Sequence, residues 1–165
     1  MTAEFLINLA TIIDRRYKKK AVKKLIPILL LTAFNLAARD VSAASDPTAE
    51  IKAVMNAQVA AWNRGDIDGF MDGYARSAET EFVSGDKITR GWQTVRDNYH
   101  KKYDSREKMG TLKFSNIQLN FLNSKTVLVL GRWQLIRKTD RPHGTFTLLF
   151  RSTSVGWRIV HDHTS

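Results

Sequence analysis

Four strand candidates in the second half of the chain constrain its fold more than any other feature. They span residues 109–122, 126–137, 145–152 and 156–164, and a weaker hairpin precedes them at 79–89. Because the connections between the four candidates are short, successive strands have to pair antiparallel. The sequence therefore predicts a meander that ends with the last strand candidate.

Helical periodicity replaces strand alternation in the segment before the meander. Apolar residues recur at spacings of three and four over residues 46–64, and Asp46 and Pro47 provide a helix start. A short helix follows at 67–74, and a third helix of about a dozen residues begins after Gly91. Helices followed by a meander predict an α+β fold with the helices on one face of a curved sheet.

The first 44 residues have the order of segments that is typical of a secretory signal peptide. A basic block at 15–24 precedes a short apolar run at 25–38, and a small-x-small site ends at Ala43. The run is too short for a comfortable membrane span, so we expect cleavage near Ala43 or Ala44 and no stable membrane insertion afterwards. The domain over 45–165 would then be periplasmic or secreted. A retained N-terminal anchor is the alternative, and an over-extended gene start would account for residues 4–13 before the basic block.

The basic composition of the chain belongs largely to this N-terminal segment. The segment holds eight of the 26 Lys and Arg and three of the 16 acidic residues, so the net charge falls from +10 for the whole chain to about +5 for residues 45–165. The dispersed remainder does not indicate a nucleic-acid partner. Because the chain has no cysteine, an exported domain has to be held together by its core without disulfides.

Five short motifs follow one another through residues 46–165. They are Trp62-Asn-Arg-Gly-Asp66, Gly91-Trp-x-x-Val-Arg96, Gly131-Arg-Trp133, Gly144-Thr-Phe146-x-Leu148 and the closing Gly156-Trp-Arg-Ile-Val-His-Asp-His-Thr-Ser165. This order resembles the SnoaL-like branch of the nuclear-transport-factor-2-like superfamily. The resemblance implies a cone-shaped α+β barrel, in which three N-terminal helices pack in a strongly curved, mostly antiparallel sheet around a central pocket. It also implies a homodimer formed through the outer face of the sheet.

Aromatic residues on the helices are the first candidates for the lining of a ligand pocket. Tyr74 and Tyr99 each place a hydroxyl at the end of an apolar stripe, and a buried hydroxyl needs a partner. We expect both residues in the pocket, together with Trp62. The alternative is that they only fill the core, as aromatic residues at helical spacing usually do.

Arg132 is the most informative charged residue of the meander. It lies in the run 127–136, which is apolar enough to be buried on both faces. An unpaired guanidinium would be strongly unfavourable there, so Arg132 should either bind an anionic group of the ligand or form an internal ion pair. The acidic residues available for such a pair are Glu79, Glu81 and Asp162.

His161 and His163 stand two apart in the last strand candidate, where strict alternation places them on the same face as Trp157 and Ile159. We expect both histidines in the pocket. His161 is the candidate catalytic acid or base, because histidine titrates near neutral pH. A His-x-His metal pair is an alternative without a convincing third ligand, so no metal is predicted, and a structural role is the other alternative.

The predicted function is that of an exported, homodimeric domain that binds a small, partly apolar ligand, with an anionic group as an option, and uses no cofactor. Two alternatives stay open, because one superfold serves many functions. The first is a cofactor-independent isomerase, cyclase or dehydratase of the ketosteroid isomerase-like type. The second is an assembly domain, as in the association domain of calcium/calmodulin-dependent protein kinase II, which belongs to the same superfamily.

Overall fold

Helix α1, Pro47–Asn63, begins the part of the chain that the computed structural model describes, residues 46–165. Asp46 caps the helix, because its Oδ1 accepts a hydrogen bond from the Thr48 amide at 2.9 Å. Pro47 occupies the first turn, where no hydrogen bond is lost. The helix ends before Gly65, whose φ of 87° lies in the left-handed region that suits glycine. The predicted helix is confirmed, with each end shifted inward by one residue.

Three shorter helices follow α1. They are α2, Ile67–Met71, α3, Trp92–Lys102, and α4, Arg106–Met109. Helix α2 ends earlier than predicted because the chain after it pairs with the last strand. The Ala75 amide donates to the Ile159 carbonyl at 2.8 Å, and the Ile159 amide donates to the Gly73 carbonyl at 2.9 Å. The sequence pattern does not predict α4, so Met109 ends a helix instead of starting a strand.

Six strands form one open, mixed sheet. They are β1, Glu81–Ser84, β2, Lys87–Arg90, β3, Thr111–Asn123, β4, Thr126–Ile136, β5, His143–Thr153, and β6, Gly156–Thr164. The order across the sheet is β2-β1-β6-β5-β4-β3, so the strands do not close into a barrel. Strands β1 and β6 pair in parallel, and the other neighbours pair antiparallel. The predicted meander and the mostly antiparallel sheet are confirmed.

The core lies between the helices and the inner face of the sheet. Alternate residues of β4 and β5 face it, and Val127, Val129, Phe146 and Phe150 are at most 3% exposed. Burying each of these side chains stabilises the fold by about 1.5–3 kcal/mol. Gly131 continues this face, and a Cβ there would collide with the Phe146 ring, so we expect a larger residue at this position to disrupt the core.

The N-terminal predictions concern residues outside the described range. Residues 1–44, the predicted signal peptide, are not among the described residues, so cleavage, export and the domain boundary at 45 stay predictions. Within residues 46–165, no helix is long and apolar enough to cross a membrane.

Candidate functional site

A cavity of about 120 Å³ lies between the helices and the inner face of the sheet. Aromatic rings form much of its wall, among them those of Trp62, Phe70, Tyr74, Phe82, Tyr99 and Trp133. The rings support one another edge to face, and the centroids of Trp62 and Phe70 are 5.2 Å apart. An apolar cavity of about 150 Å³ holds benzene, so one ring is about the largest group that this smaller cavity could hold.

Asp162 on β6 is the one acidic side chain that lines this cavity within the described part of the chain. It is 3% exposed, and both of its carboxylate oxygens accept hydrogen bonds. The Tyr74 hydroxyl donates to Oδ2 at 2.7 Å, and the Thr164 hydroxyl donates to Oδ1 at 2.6 Å. A buried polar pair, Tyr74 and Asp162, therefore stands in an otherwise aromatic wall.

The protonation of this pair depends on its burial. Burial raises the pKa of Asp162 to about 6, although the hydrogen bonds from Thr164 and Tyr74 act in the opposite direction. Burial, followed by the nearby charge of Asp162, raises the pKa of Tyr74 and of Tyr99 well above the usual value for tyrosine. Both phenols are therefore neutral near pH 7, whereas the carboxyl group can gain or release a proton close to that pH.

A bulge in β6 determines that Asp162 faces the cavity. Ile159 and His161, on either side of Val160, pair with consecutive residues of β5, so Val160 is an extra residue in β6. The extra residue reverses the alternation of faces along the strand. Ile159 and Asp162 are consequently both buried, whereas His161 is part of the outer face.

Tyr74 reaches Asp162 because of the chain that follows α2. Its backbone forms a parallel bridge with Ile159, just before the bulge. This pairing holds the Tyr74 side chain, itself 3% exposed, against the inward-facing carboxylate. The same hydrogen bonds that shorten α2 thus position the donor of the buried pair.

The family model of the SnoaL-like domain matches residues 51–165. The chain belongs to the SnoaL-like domain family. The resemblance that the motifs predicted is confirmed, and so is the α+β fold of the nuclear-transport-factor-2-like superfamily. No curated protein matches the sequence of this SnoaL-like chain significantly.

Solved structures share the fold of this SnoaL-like domain. An NTF-2 like protein of unknown function from Shewanella oneidensis MR-1 is 38% identical, with a TM-score of 0.70 over 73% of this chain and 99% of that one. An NTF2-like superfamily protein from Salmonella enterica serovar Typhimurium LT2 is 22% identical, with a TM-score of 0.59 over 72% of this chain and 89% of that one. A Xanthomonas campestris protein named for the calcium/calmodulin dependent protein kinase II association domain is 14% identical, with a TM-score of 0.57 over 74% and 89% of the two chains. The last two likenesses concern the fold alone.

The structure brings three of the predicted site residues together. Trp62, Tyr74 and Tyr99 all line the cavity of the SnoaL-like domain. The Trp62 Nε1 donates to the Met109 carbonyl at 3.1 Å, so its polar atom is occupied by the fold itself. Tyr74 and Tyr99 therefore supply the polar character of the aromatic wall, next to Asp162.

Arg132 lies elsewhere, and the expectation that its run is buried on both faces is wrong. Its neighbours Gly131 and Trp133 face the helices, whereas Arg132 is exposed on the outer face of β4. The reason is that the helices cover the inner face only, so an outward guanidinium stays in contact with water. Arg132 does not line the cavity, and it forms no ion pair among the described residues.

The two histidines also lie on the outer face, because the bulge places Asp162 inside. The Nδ1 of His161 is 3.1 Å from the Glu81 Oε2, and His163 is exposed. Neither lines the cavity, so the structure does not bring the predicted catalytic residue to it. No group of three or more potential metal ligands occurs among residues 46–165.

Sequence analysis missed much of the polar part of the cavity wall. Asp162 was considered only as an ion-pair partner or as one acid among several, since alternation placed it outside. Gln58 and Lys102 also line the cavity. Gln58 is a polar residue within the apolar stripe of α1, and this interruption of the pattern was the available signal.

Proposed function

We propose that this SnoaL-like domain binds a small molecule of about one ring in its aromatic cavity, with Asp162, Tyr74 and Tyr99 as the polar groups. The observation that carries the proposal is the buried hydrogen bond between Tyr74 and Asp162. Keeping a carboxyl group in an aromatic cavity is unfavourable for folding, as its raised pKa indicates. Groups that are retained at such a cost commonly serve binding or catalysis.

Binding of phenol to the purified protein tests this proposal. We expect ligand-observed NMR to detect phenol binding to the wild-type protein, because the ring suits the aromatic wall and the hydroxyl can donate to Asp162. Asp162→Asn should weaken binding about tenfold, since a hydrogen bond to a charged group contributes roughly 1.5–3 kcal/mol. His163→Ala, on the outer face, is the matched control and should bind as the wild type does. Absence of binding, or equal binding by all three proteins, contradicts the proposal.

A second candidate function is acid–base catalysis by Asp162, as in the cofactor-independent isomerases. It is favoured by the pKa of about 6, which suits proton transfer near neutral pH. Ketosteroid isomerases likewise combine carboxyl groups and a tyrosine in an apolar site. In this role Asp162 would take a proton next to a substrate carbonyl, and Tyr99 would donate a hydrogen bond to the developing oxyanion.

Exchange of carbon-bound hydrogen in D₂O tests the catalytic candidate directly. Cyclohexanone, a one-ring ketone, should exchange the protons next to its carbonyl faster with the wild-type protein than with buffer. The rate should rise with pH through about pH 6, because the base has to be ionised. Asp162→Asn should abolish the excess rate and His161→Ala should leave it unchanged. An excess rate that needs His161 and not Asp162 would restore the histidine to the catalytic role.

If the domain served only in assembly, we would expect side chains to fill the cavity. A ring-sized cavity with a buried carboxyl group supports ligand binding over that alternative. Homodimerisation through the outer face stays a prediction, and sedimentation velocity of the purified protein would test it.

A further inference from the structure

A second cavity, of about 210 Å³, borders the first and differs from it in charge. The two share wall residues, among them Phe82, Tyr99 and Lys102, so the two cavities lie on either side of the same side chains. We call the 120 Å³ cavity that contains Asp162 the inner chamber and the 210 Å³ cavity the outer chamber. Their different linings indicate which groups a ligand has to present at each end.

The inner chamber contains a hydrogen-bond acceptor without a partner. Gln58 is 2% exposed, and its Nε2 donates to the Phe70 carbonyl at 3.1 Å. Since only the amide nitrogen can donate to a carbonyl, this bond fixes which way the amide is turned. The Gln58 Oε1 then has no hydrogen-bond partner among the described residues. A buried acceptor in this state is unfavourable until a donor reaches it.

The backbone around Gln58 keeps its side chain in place. Gly73 lies against the amide, and a Cβ at this position would stand 2.5 Å from the Gln58 Nε2. The glycine therefore provides the space that the side chain occupies. Asp162 contributes a second acceptor to the same chamber. Both groups call for a ligand with an O–H or N–H donor at its inner end.

The outer chamber has the opposite character. Lys87 and Lys102 line it, and its wall contains no acidic side chain. Neither lysine forms an ion pair within residues 46–165, although acid–base pairs are common elsewhere on this surface. The Nζ of Lys102 lies 5.4 Å from the Tyr103 ring centroid, which holds the ammonium group near the boundary of the two chambers. Two unpaired ammonium groups favour a ligand anion at this end.

We infer that the ligand is an aromatic carboxylic acid that carries a hydroxyl or amino donor on its ring. The donor would reach Asp162 in the inner chamber, where the Gln58 Oε1 is a second acceptor for an amino group, and the carboxylate would meet Lys102 and Lys87 in the outer one. This inference rests on the proposed function, because it names the ligand class of the same cavity.

Three one-ring probes separate the contributions of the two ends. Toluene tests the aromatic wall alone, phenol adds the donor, and 4-hydroxybenzoate adds the carboxylate. We expect phenol to bind the wild-type protein about tenfold more tightly than toluene, as a hydrogen bond to a charged group contributes, and 4-hydroxybenzoate about fivefold more tightly than phenol, as a partly exposed ion pair contributes. Titration calorimetry above pH 7 and at low salt would measure these ratios.

Single-residue variants test which chamber produces each ratio of binding affinities. Asp162→Asn should remove most of the preference for phenol over toluene and leave toluene binding intact, which also shows that the variant is folded. Lys102→Ala should remove most of the preference for 4-hydroxybenzoate over phenol. Lys101→Ala is the matched control, because Lys101 is exposed on the same helix and lines neither chamber.

The outcomes distinguish this inference from the function on which it rests. If phenol binds and 4-hydroxybenzoate binds no better, or if the gain persists in Lys102→Ala, the inferred ligand class is overturned and the binding function stands. If phenol has no advantage over toluene, or keeps it in Asp162→Asn, the assignment of the donor end is overturned. If none of the three probes binds, the binding function fails together with the inference.

Discussion

The pKa of an acidic side chain shifts in opposite directions on the two faces of the sheet. Asp162 points inward from β6, and burial raises its pKa to about 6. Glu81 lies opposite His161 on the adjacent strand β1 and points outward, where hydrogen bonds from His161 and Arg90 lower the pKa of its carboxyl group. Both residues are acids on adjacent parallel strands, so the difference comes from desolvation on one face and basic neighbours on the other.

The inner face is therefore the one suited to acid–base chemistry. An exposed carboxylate with basic partners stays ionised over the physiological pH range, and water screens its charge. The buried carboxyl group of Asp162 has only hydroxyl donors, from Tyr74 and Thr164, and can change its protonation near neutral pH. A ligand in the cavity can therefore alter the charge of Asp162, whereas nothing comparable holds for Glu81.

The largest effect that we expect from this difference is on stability as a function of pH. The folded state keeps the Asp162 proton up to about pH 6, whereas an ordinary aspartate releases it at 3.8. The protonated carboxyl group thus contributes stability that is fully present below about pH 4 and is lost as the pH rises through about 6. Relative to Asp162→Asn, which does not titrate, the unfolding free energy of the wild type should fall by about 3 kcal/mol between about pH 3 and about pH 7. Urea denaturation of both proteins at several pH values measures this change in the unfolding free energy.

Glu81→Gln is the control on the opposite face, and its pH dependence should have the opposite sign. Because the folded state lowers the pKa of Glu81, its contribution is present above the ordinary value of 4.5 and is lost as the pH falls. If the wild type and Asp162→Asn lose stability in parallel as the pH rises, Asp162 is not the buried acid described above.

A smaller effect should follow from removing the donor of the buried pair. Tyr74→Phe leaves the Asp162 Oδ2 without its hydrogen bond, and an unsatisfied buried acceptor costs about 1–3 kcal/mol. The pKa of Asp162 should also rise above that of the wild type, because the lost hydrogen bond favoured the ionised form. Denaturation, together with NMR titration of the carboxyl carbon, measures both changes.

Tyr103→Phe provides the matched control for that substitution. Tyr103 lines the same cavity and packs against Tyr99 with centroids 5.8 Å apart, but it makes no hydrogen bond to Asp162. We expect this variant to leave the pKa of Asp162 unchanged. Equal shifts in both variants would mean that the aromatic wall, and not the Tyr74 hydroxyl, sets the pKa.

The smallest effect belongs to the outer face. Arg132→Leu should change the unfolding free energy by less than about 0.5 kcal/mol, because exposed positions without ion pairs contribute little. Phenol binding should be the same as in the wild type, since Arg132 does not line the cavity. Loss of binding in this variant would show that the outer face takes part in ligand recognition, and the contrast between the two faces would then not hold.

The order of helices and strands was predictable because it depends on local signals. Asp46 and Pro47 start α1, the alternation of β4 and β5 matches their buried and exposed residues, and the short connections impose the meander. The motifs identified the family for the same reason, since each is a short stretch of adjacent residues. Trp62, Tyr74 and Tyr99 were placed in the cavity wall by the stripes that they continue.

The polar part of the cavity could not be predicted in this way. An extra residue at Val160 exchanges the positions of Asp162 and His161, and no local pattern marks that bulge. Arg132 was misplaced because an apolar run does not reveal how many of its faces other elements cover. The pairing of Asp162 with Tyr74 joins residues 88 positions apart in the chain. Local sequence therefore specifies which elements form and which residues are apolar. Which titratable group becomes buried depends on strand register and on the covering of each face, and these arise only when distant segments pack together.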